Sequence, residues 1–129
     1  MNEHSFIRSV HRYLPLELFK WKIHDTFAGG VPDSFYAGPA GILFVEYKYV
    51  KKLPKRDSSI LKTSLSPQQI QWLNRMTDFN QRAAVVIGCE DTAIILENKI
   101  WESPLTKLYY VQRAVPRKAV AEWIASVCL

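Results

Sequence analysis

The most regular hydrophobic pattern in the chain covers residues 42–50, where apolar and β-branched side chains are interrupted only by Glu46 and Lys48. This composition predicts a β-strand. Side chains alternate across a strand, so Glu46 and Lys48 share one face with apolar neighbours, and the other face is apolar along its length. Two apolar faces indicate a central strand that is covered on both sides.

Other elements follow from the same reasoning. Residues 3–14 have the spacing of an amphipathic helix that stops at Pro15. Two strands, at residues 18–23 and from Val31 to Tyr36, precede the strand at 42–50, with a loop at residues 24–30 and a turn at residues 38–41 between them. The remaining elements are a helix from Ser66-Pro67, short strands at residues 83–87, 93–96 and 100–101, and a closing helix from Pro116.

This order of elements predicts an α/β or α+β fold, in which a mixed central sheet has helices on both faces. The chain has 129 residues, and we expect one domain over residues 1–129. Between residues 51 and 65 the pattern gives way to a basic segment with a single acid, which predicts a mobile loop. Its cationic residues are Lys51, Lys52, Lys55, Arg56 and Lys62.

The net charge says more about the possible partners of the chain than the overall composition does. Hydrophobic residues make up 48% of the chain, as in ordinary globular proteins, and the net charge of +5 permits an anionic partner such as nucleic acid. Cys89 and Cys128 lack metal-ligand spacing, which favours a reducing compartment. No apolar run is long enough to span a bilayer, and the N-terminus does not resemble a signal peptide. We therefore expect an intracellular, cytoplasmic protein with no membrane partner.

Candidate chemistry lies on two adjacent predicted strands, where Asp33, Glu46 and Lys48 form the pattern Asp-x12-Glu-x-Lys. Two carboxylates on neighbouring strands can share Mg²⁺, which prefers few carboxylates together with waters and a phosphate. A bound ion would acidify a water, and Lys48 would orient or deprotonate that water or hold the phosphate. The carbonyl of Tyr47 is a further candidate ligand. The alternative is an edge strand whose Glu46 and Lys48 face water and oppose aggregation.

Three motifs follow one another within residues 18–73: GVPD at residues 30–33, FVEYK at residues 44–48 and LSPQQIQWL at residues 65–73. They are similar to the G-x-P-D, E-x-K and L-S-P-x-Q-x-x-W-L motifs of the PD-(D/E)XK nuclease superfamily, and within it of the VRR-NUC group (virus-type replication-repair nucleases). Residues 22–24 also resemble the strand that precedes G-x-P-D in that group. The basic insertion at residues 51–65 departs from the family, whose link is usually shorter.

The resemblance implies a restriction-endonuclease-like core and a DNA endonuclease that uses Mg²⁺, with Mn²⁺ able to substitute. It implies that Asp33 and Glu46 bind the metal and that Lys48 serves the attacking water. The family also carries a glutamate early in its first helix, for which Glu3 is the first candidate as a metal ligand and Glu17 the second.

Gln69 has two possible roles. By the resemblance it supports the catalytic site, and by its spacing from Ser66 it fits a capping box, in which its side chain reaches back to the backbone of the N-cap residue. Both roles remain open at the level of sequence.

The expected partner is DNA. The loop cations and Lys22 would contact the phosphate backbone. Small single-domain members of the resembled group tend to be phage or viral enzymes that cut branched DNA, so a dimeric Holliday-junction resolvase is the leading expectation. The alternatives are a non-catalytic DNA-binding module on a nuclease fold and a restriction-type nuclease that cuts plain duplex.

Overall fold

The structure, a computed structural model, describes residues 1–24 and 29–129. Part of the loop predicted at residues 24–30 therefore lies outside the described residues. The helices are α1 (Glu3–His11), α2 (Pro67–Asp78), α3 (Lys107–Arg113) and α4 (Arg117–Cys128), and a 3₁₀ turn covers Ile100–Glu102. The strands are β1 (Phe19–Lys22), β2 (Ser34–Gly38), β3 (Gly41–Tyr49), β4 (Ala83–Cys89), β5 (Thr92–Leu96) and β6 (Val115–Pro116).

The six strands form one mixed sheet in the order β1-β2-β3-β4-β5-β6. Neighbouring strands are antiparallel except β3 and β4, which are parallel. A parallel pair cannot be joined by a tight turn, so the chain crosses over between β3 and β4 through the basic loop and α2. This crossover brings the start of α2 to the strand that carries Glu46.

Helices cover both faces of the sheet, which confirms the predicted mixed α+β architecture. On one face α1 and α4 pack against β2 and β3, and the core there includes Phe6, Tyr36 and Ile124. On the other face α2 and α3 pack around Leu73 and Tyr110. The sheet therefore has a core on each side, and both cores use alternate residues of the same central strands.

β3 is a central strand, because it is paired with β2 on one side and with β4 on the other. Leu43, Val45 and Tyr47 lie in the core beneath α1 and α4, whereas Phe44 and Val50 border the core beneath α2 and α3. The predicted division of the strand into two faces is confirmed. The alternative of an exposed edge strand is wrong.

Several boundaries differ from the prediction. The first helix ends at His11, and β2 begins at Ser34 rather than at Val31. The strand predicted at residues 100–101 is wrong: Asn98 and Lys99 adopt positive φ angles of 54° and 65°, which end the extended chain and start the 3₁₀ turn. The pattern reading also missed α3 and β6.

The basic loop at residues 51–65 is confirmed as a segment without helix or strand, but it is anchored at its centre. The backbone N–H of Leu61 donates to the carbonyl of Leu105 at 2.8 Å, and that of Lys107 donates to the carbonyl of Ser59 at 2.9 Å. The Leu61 side chain is 5% exposed and joins the core beneath α2 and α3. These contacts hold the middle of the loop against the start of α3, and the mobility of the loop stays a prediction.

Within the part of the chain that the structure describes, no helix combines the length and the apolarity needed to cross a bilayer.

Candidate active site

Asp33 and Glu46 face each other across β2 and β3. Ser34 pairs with Val45 in this antiparallel ladder, so Asp33, one residue before β2, continues the register to a position opposite Glu46. Side chains directly opposite each other in an antiparallel pair lie on the same face and within contact range. The backbone N–H of Tyr47 donates to Asp33 Oδ2 at 3.0 Å, which fixes the Asp33 carboxylate beside the strand.

Glu46 is the most unusual group of the site, because it is an acid that is only 2% exposed. Its Oε2 atom accepts from Gln69 Nε2 at 3.3 Å and lies 3.6 Å from Lys48 Nζ. Its Oε1 atom is buried and has no hydrogen-bond partner among the described residues. A buried acceptor without a partner is costly, so this oxygen is available to a water or a cation.

The surroundings of Glu46 favour its protonated form when no cation is bound. Burial, followed by the neighbouring charge of Asp33, raises the pKa of Glu46 to about 8, and the opposing effect of Lys48 is smaller. A cation placed between the two carboxylates would reverse this preference, because it would replace their mutual repulsion with a shared attraction.

Gln69 caps α2 and also contacts Glu46, whereas its support of catalysis stays a prediction. Its Oε1 accepts from the backbone N–H of Ser66 at 2.9 Å, while its own N–H donates to Ser66 Oγ at 3.1 Å, which completes the capping box. Its other amide atom, Nε2, is the donor to Glu46. The helix cap therefore orients the side chain that holds the buried carboxylate.

The start of α2 can approach the Asp33 segment because Gly30 has no side chain. Gly30 has φ +85°, and a Cβ atom built there would lie 2.3 Å from the backbone oxygen of Gln68. Any other residue would clash with the helix and adopt a strained backbone conformation. The glycines before Asp33 thus permit the close packing that brings Gln69 to Glu46.

Glu3 lies in the first turn of α1, whose N-cap is Asn2. Burial and then the charge of Asp33 raise the pKa of Glu3, while Lys48 and Lys22 act in the opposite direction. Glu3 is therefore in electrostatic contact with the residues around Glu46. Glu17 lies exposed in the turn between α1 and β1, beyond the far end of that helix, so the structure favours Glu3 as the helix glutamate.

The predicted metal ligands are hard oxygen donors suited to Mg²⁺. A strand residue directs its N–H and C=O to the same side, so the carbonyl of Tyr47 points toward Asp33, as its amide does. Over residues 1–24 and 29–129, no three His, Cys, Asp or Glu side chains are close enough to form a chelating cluster by themselves. The unpartnered Oε1 of Glu46 beside Asp33 fits a cation that takes two carboxylates, with a carbonyl and waters completing its shell.

The predicted phosphate-binding residues divide between the two faces of the sheet. All the loop cations (Lys51, Lys52, Lys55, Arg56 and Lys62) are exposed, in the segment anchored on the side of α2 and α3. Lys22 is exposed at the end of β1 on the side of α1, where its Nζ lies 3.4 Å from His4 Nδ1. The Glu46 side chain lies on the side of α2 and the basic loop, whereas Glu3 and Lys22 belong to the side of α1.

The sequence reading missed a hydrogen-bonded chain beneath α1. His11 Nε2 lies 2.7 Å from the hydroxyl of Tyr36, which in turn lies 2.7 Å from the hydroxyl of Tyr47. Burial raises the pKa of Tyr36 to about 12, so both hydroxyls remain neutral and satisfy each other inside the core. The chain fixes the side chain of Tyr47, whose backbone amide holds Asp33. No local pattern reveals it, since the three residues come from three elements.

Comparison with known proteins agrees with this architecture at the level of the fold. No protein-family model and no curated protein matches the chain. Among solved structures, the chain is similar to Hjc of Archaeoglobus fulgidus, a Holliday junction resolvase from an archaeal hyperthermophile, with a TM-score of 0.55 and 14% identity. The match covers 95% of this chain and 97% of the resolvase. The chain therefore shares the fold of a junction resolvase, and membership of the VRR-NUC group stays a prediction.

Proposed function

We propose that this protein is a divalent-metal-dependent endonuclease that hydrolyses phosphodiester bonds in branched DNA, with the four-way junction as its leading substrate. The observation that carries the proposal is Glu46: a buried carboxylate with one unpartnered oxygen, opposite Asp33 and beside Lys48. The fold shared with a Holliday junction resolvase supports the substrate class. An intracellular location fits this activity and the free cysteines Cys89 and Cys128.

In this proposal Asp33, Glu46 and the carbonyl of Tyr47 hold Mg²⁺ or Mn²⁺ through oxygen atoms. Within the described residues Glu3, predicted as a further ligand, does not join the two acids in a chelating cluster and contributes negative charge from the first turn of α1. When bound, the ion neutralises charge on the phosphate and acidifies a water. Gln69 keeps Oε2 of Glu46 in place through its amide, so that the carboxylate cannot rotate away from Asp33. The amine of Lys48 lies within reach of the same carboxylate and either accepts a proton from the attacking water or, as an ammonium, holds the phosphate.

A cleavage panel tests the proposal. Labelled linear duplex, flap and four-way-junction DNA are incubated with wild-type protein in Mg²⁺, Mn²⁺ or EDTA, beside the near-isosteric variant Glu46→Gln. We expect metal-dependent cleavage that is fastest on the junction and absent in the variant. Cleavage of linear duplex alone would favour a restriction-type enzyme. DNA binding with no cleavage under any metal would favour a non-catalytic module.

Symmetric resolution of a junction requires two active sites, so we propose that the active form is a homodimer. A candidate surface is the face of β1 and β2 that carries Phe19, Trp21 and Phe35, with Ile42 of β3 beside them; Phe19 and Trp21 are 57% and 56% exposed. The strand positions of this aromatic patch carry no charge, and the charged residues of the same face, Asp33 and Glu46, lie beyond it at the start of β2, so two copies of a chain with net charge +5 would meet at the patch with little repulsion. Analytical ultracentrifugation of the wild type and of Trp21→Lys tests the homodimer. We expect the wild type to sediment as a dimer and the variant as a monomer. A wild type that is monomeric at all concentrations would refute the homodimer.

A further inference from the structure

A narrow groove lies between α1 and β1, on the face of the sheet opposite the basic loop. Its volume is about 190 Å³, and its walls are His4, Ile7, Arg8, His11, Lys20 and Lys22. The α1 members recur at i, i+3, i+4 and i+7 and therefore share one side of the helix, while Lys20 and Lys22 share one face of β1. Every lining residue is apolar, cationic or an imidazole, and none is an acid.

The cations of this groove form no ion pairs within the described part of the chain. The ion pairs found among the described residues involve Lys48, Arg82 and Lys99, and none involves Arg8, Lys20 or Lys22. All three groove cations are exposed.

The half-buried imidazole of His11 forms part of the groove wall. Burial, and then Lys20 and Lys22, lower the pKa of His11 to about 4. The positive charge of the groove therefore comes from Arg8, Lys20 and Lys22 and does not depend on His11.

The groove is linked to the proposed catalytic site through Glu3, which is influenced by Lys22 of the groove and by Asp33 and Lys48 of the site. Its lining residue His4 follows Glu3 in α1, and Lys22 lies close enough to both His4 and Glu3 to influence them. The basic loop begins two residues after β3, on the other side of the sheet. A strand of nucleic acid with a phosphate at Glu46 and Lys48 would therefore meet one cationic surface on each side.

We propose that the groove between α1 and β1 binds the DNA phosphate backbone on one side of the scissile bond, with Arg8 and Lys20 as contacts additional to Lys22, while the basic loop binds on the other side. This inference rests on the proposed function, since it extends the substrate path of the same site. Contacts to phosphates release counterions, so each one lost reduces the dependence of affinity on salt.

The test compares two double variants that remove equal charge. Arg8→Gln/Lys20→Gln alters the groove, and Arg113→Gln/Lys118→Gln alters exposed cations beside β6, at the opposite edge of the sheet. Binding of a fluorescently labelled four-way junction is measured by anisotropy in EDTA over a range of salt concentrations. At about 0.1 M salt we expect the groove variant to bind about tenfold more weakly, with a log–log salt slope smaller by about 1 to 2, and the control to keep the wild-type slope.

Equal losses of affinity in both variants, or an unchanged salt slope in the groove variant, would refute the proposal that the groove binds DNA. Thermal melting confirms that both variants fold, as expected for substitutions of exposed side chains. The groove proposal and the nuclease proposal can be refuted separately. Binding that depends on the groove, without cleavage in any metal, would support the groove proposal and refute the nuclease proposal. Metal-dependent cleavage, together with a groove variant that binds DNA as the control does, would support the nuclease proposal and refute the groove proposal.

Discussion

Two strands of this sheet carry charged residues at the same two-residue spacing, in opposite environments. Glu46 and Lys48 lie on the central strand β3, where the carboxylate is 2% exposed. Lys20 and Lys22 lie on the edge strand β1, where every residue is exposed. Burial changes the protonation of Glu46 and couples it to its neighbours, whereas water screens the edge lysines, which act as point charges. One spacing thus suits chemistry in the centre of the sheet and long-range attraction at its edge.

The sharpest test of this comparison removes one charge from each strand. We expect Glu46→Gln to lower the rate of junction cleavage by about a thousandfold or more, because it removes a carboxylate from the metal site. Lys20→Gln should lower the rate at subsaturating DNA by less than about tenfold, through weaker binding alone. Single-turnover cleavage over a range of enzyme concentrations separates the two effects. Similar losses of the maximal rate in both variants would contradict the distinction.

The second effect is on stability against pH, measured by denaturant unfolding in EDTA. The folded protein keeps the Glu46 proton up to pH about 8, whereas the unfolded carboxyl loses it near 4.5. Within that window the folded carboxyl binds more protons, so Glu46 makes the free energy of unfolding fall as pH rises. Below pH 6.5 the lowered pKa of His11 acts in the opposite direction, so the quantity to compare is the wild type minus Glu46→Gln. This difference should fall by roughly 2 to 4 kcal/mol across the window, and a difference that stays constant or rises would refute the buried, protonated carboxyl.

A somewhat smaller effect is expected from the metal itself. At pH 8, Mg²⁺ at a hundred times its Kd should raise the free energy of unfolding of the wild type by about 2.7 kcal/mol, because it binds the folded state. Asp33→Asn should abolish most of this gain, and Lys20→Gln should retain it. Thermal melts with and without Mg²⁺ measure the gain. Equal stabilisation of all three proteins would place the metal elsewhere.

The smallest effect separates the two roles of Gln69. Gln69→Ala and Ser66→Ala both break the capping box, and each should cost about 1 kcal/mol of stability. Only Gln69→Ala also frees Oε2 of Glu46, so it alone should lower the cleavage rate, by roughly 10-fold to 100-fold. Equal cleavage rates in the two variants would show that Gln69 acts only by capping α2.

The pattern of side chains predicted the centre of the molecule better than its periphery. β3 could be read from sequence because its alternation matches two cores, and α2 because Ser66 and Gln69 cap it locally. α3 could not, since its seven residues leave Leu108 and Val111 exposed and its position depends on hydrogen bonds to the basic loop. Its N-cap Thr106 was the one available local signal.

The candidate site shows the same division. Motif order placed Asp33, Glu46, Lys48 and Gln69 together, and the structure brings these residues within contact range. The sequence did not single out Lys20, although β1 alternates aromatic and basic residues. Both faces of β1 are exposed because this strand lies at the edge of the sheet. A long-range property of this kind is absent from any local window of sequence.

The bare backbone at Gly30 offers a practical opportunity. A methyl group there would press on the first turn of α2 and so would separate that helix from the carboxylates without removing a single charge. If the proposed function holds, Gly30→Ala would make a useful trapping variant, which would still bind DNA through its intact cations while cleavage is slowed. Complexes of that variant could be prepared for structure determination in the presence of metal, with the natural acids and amine all in place.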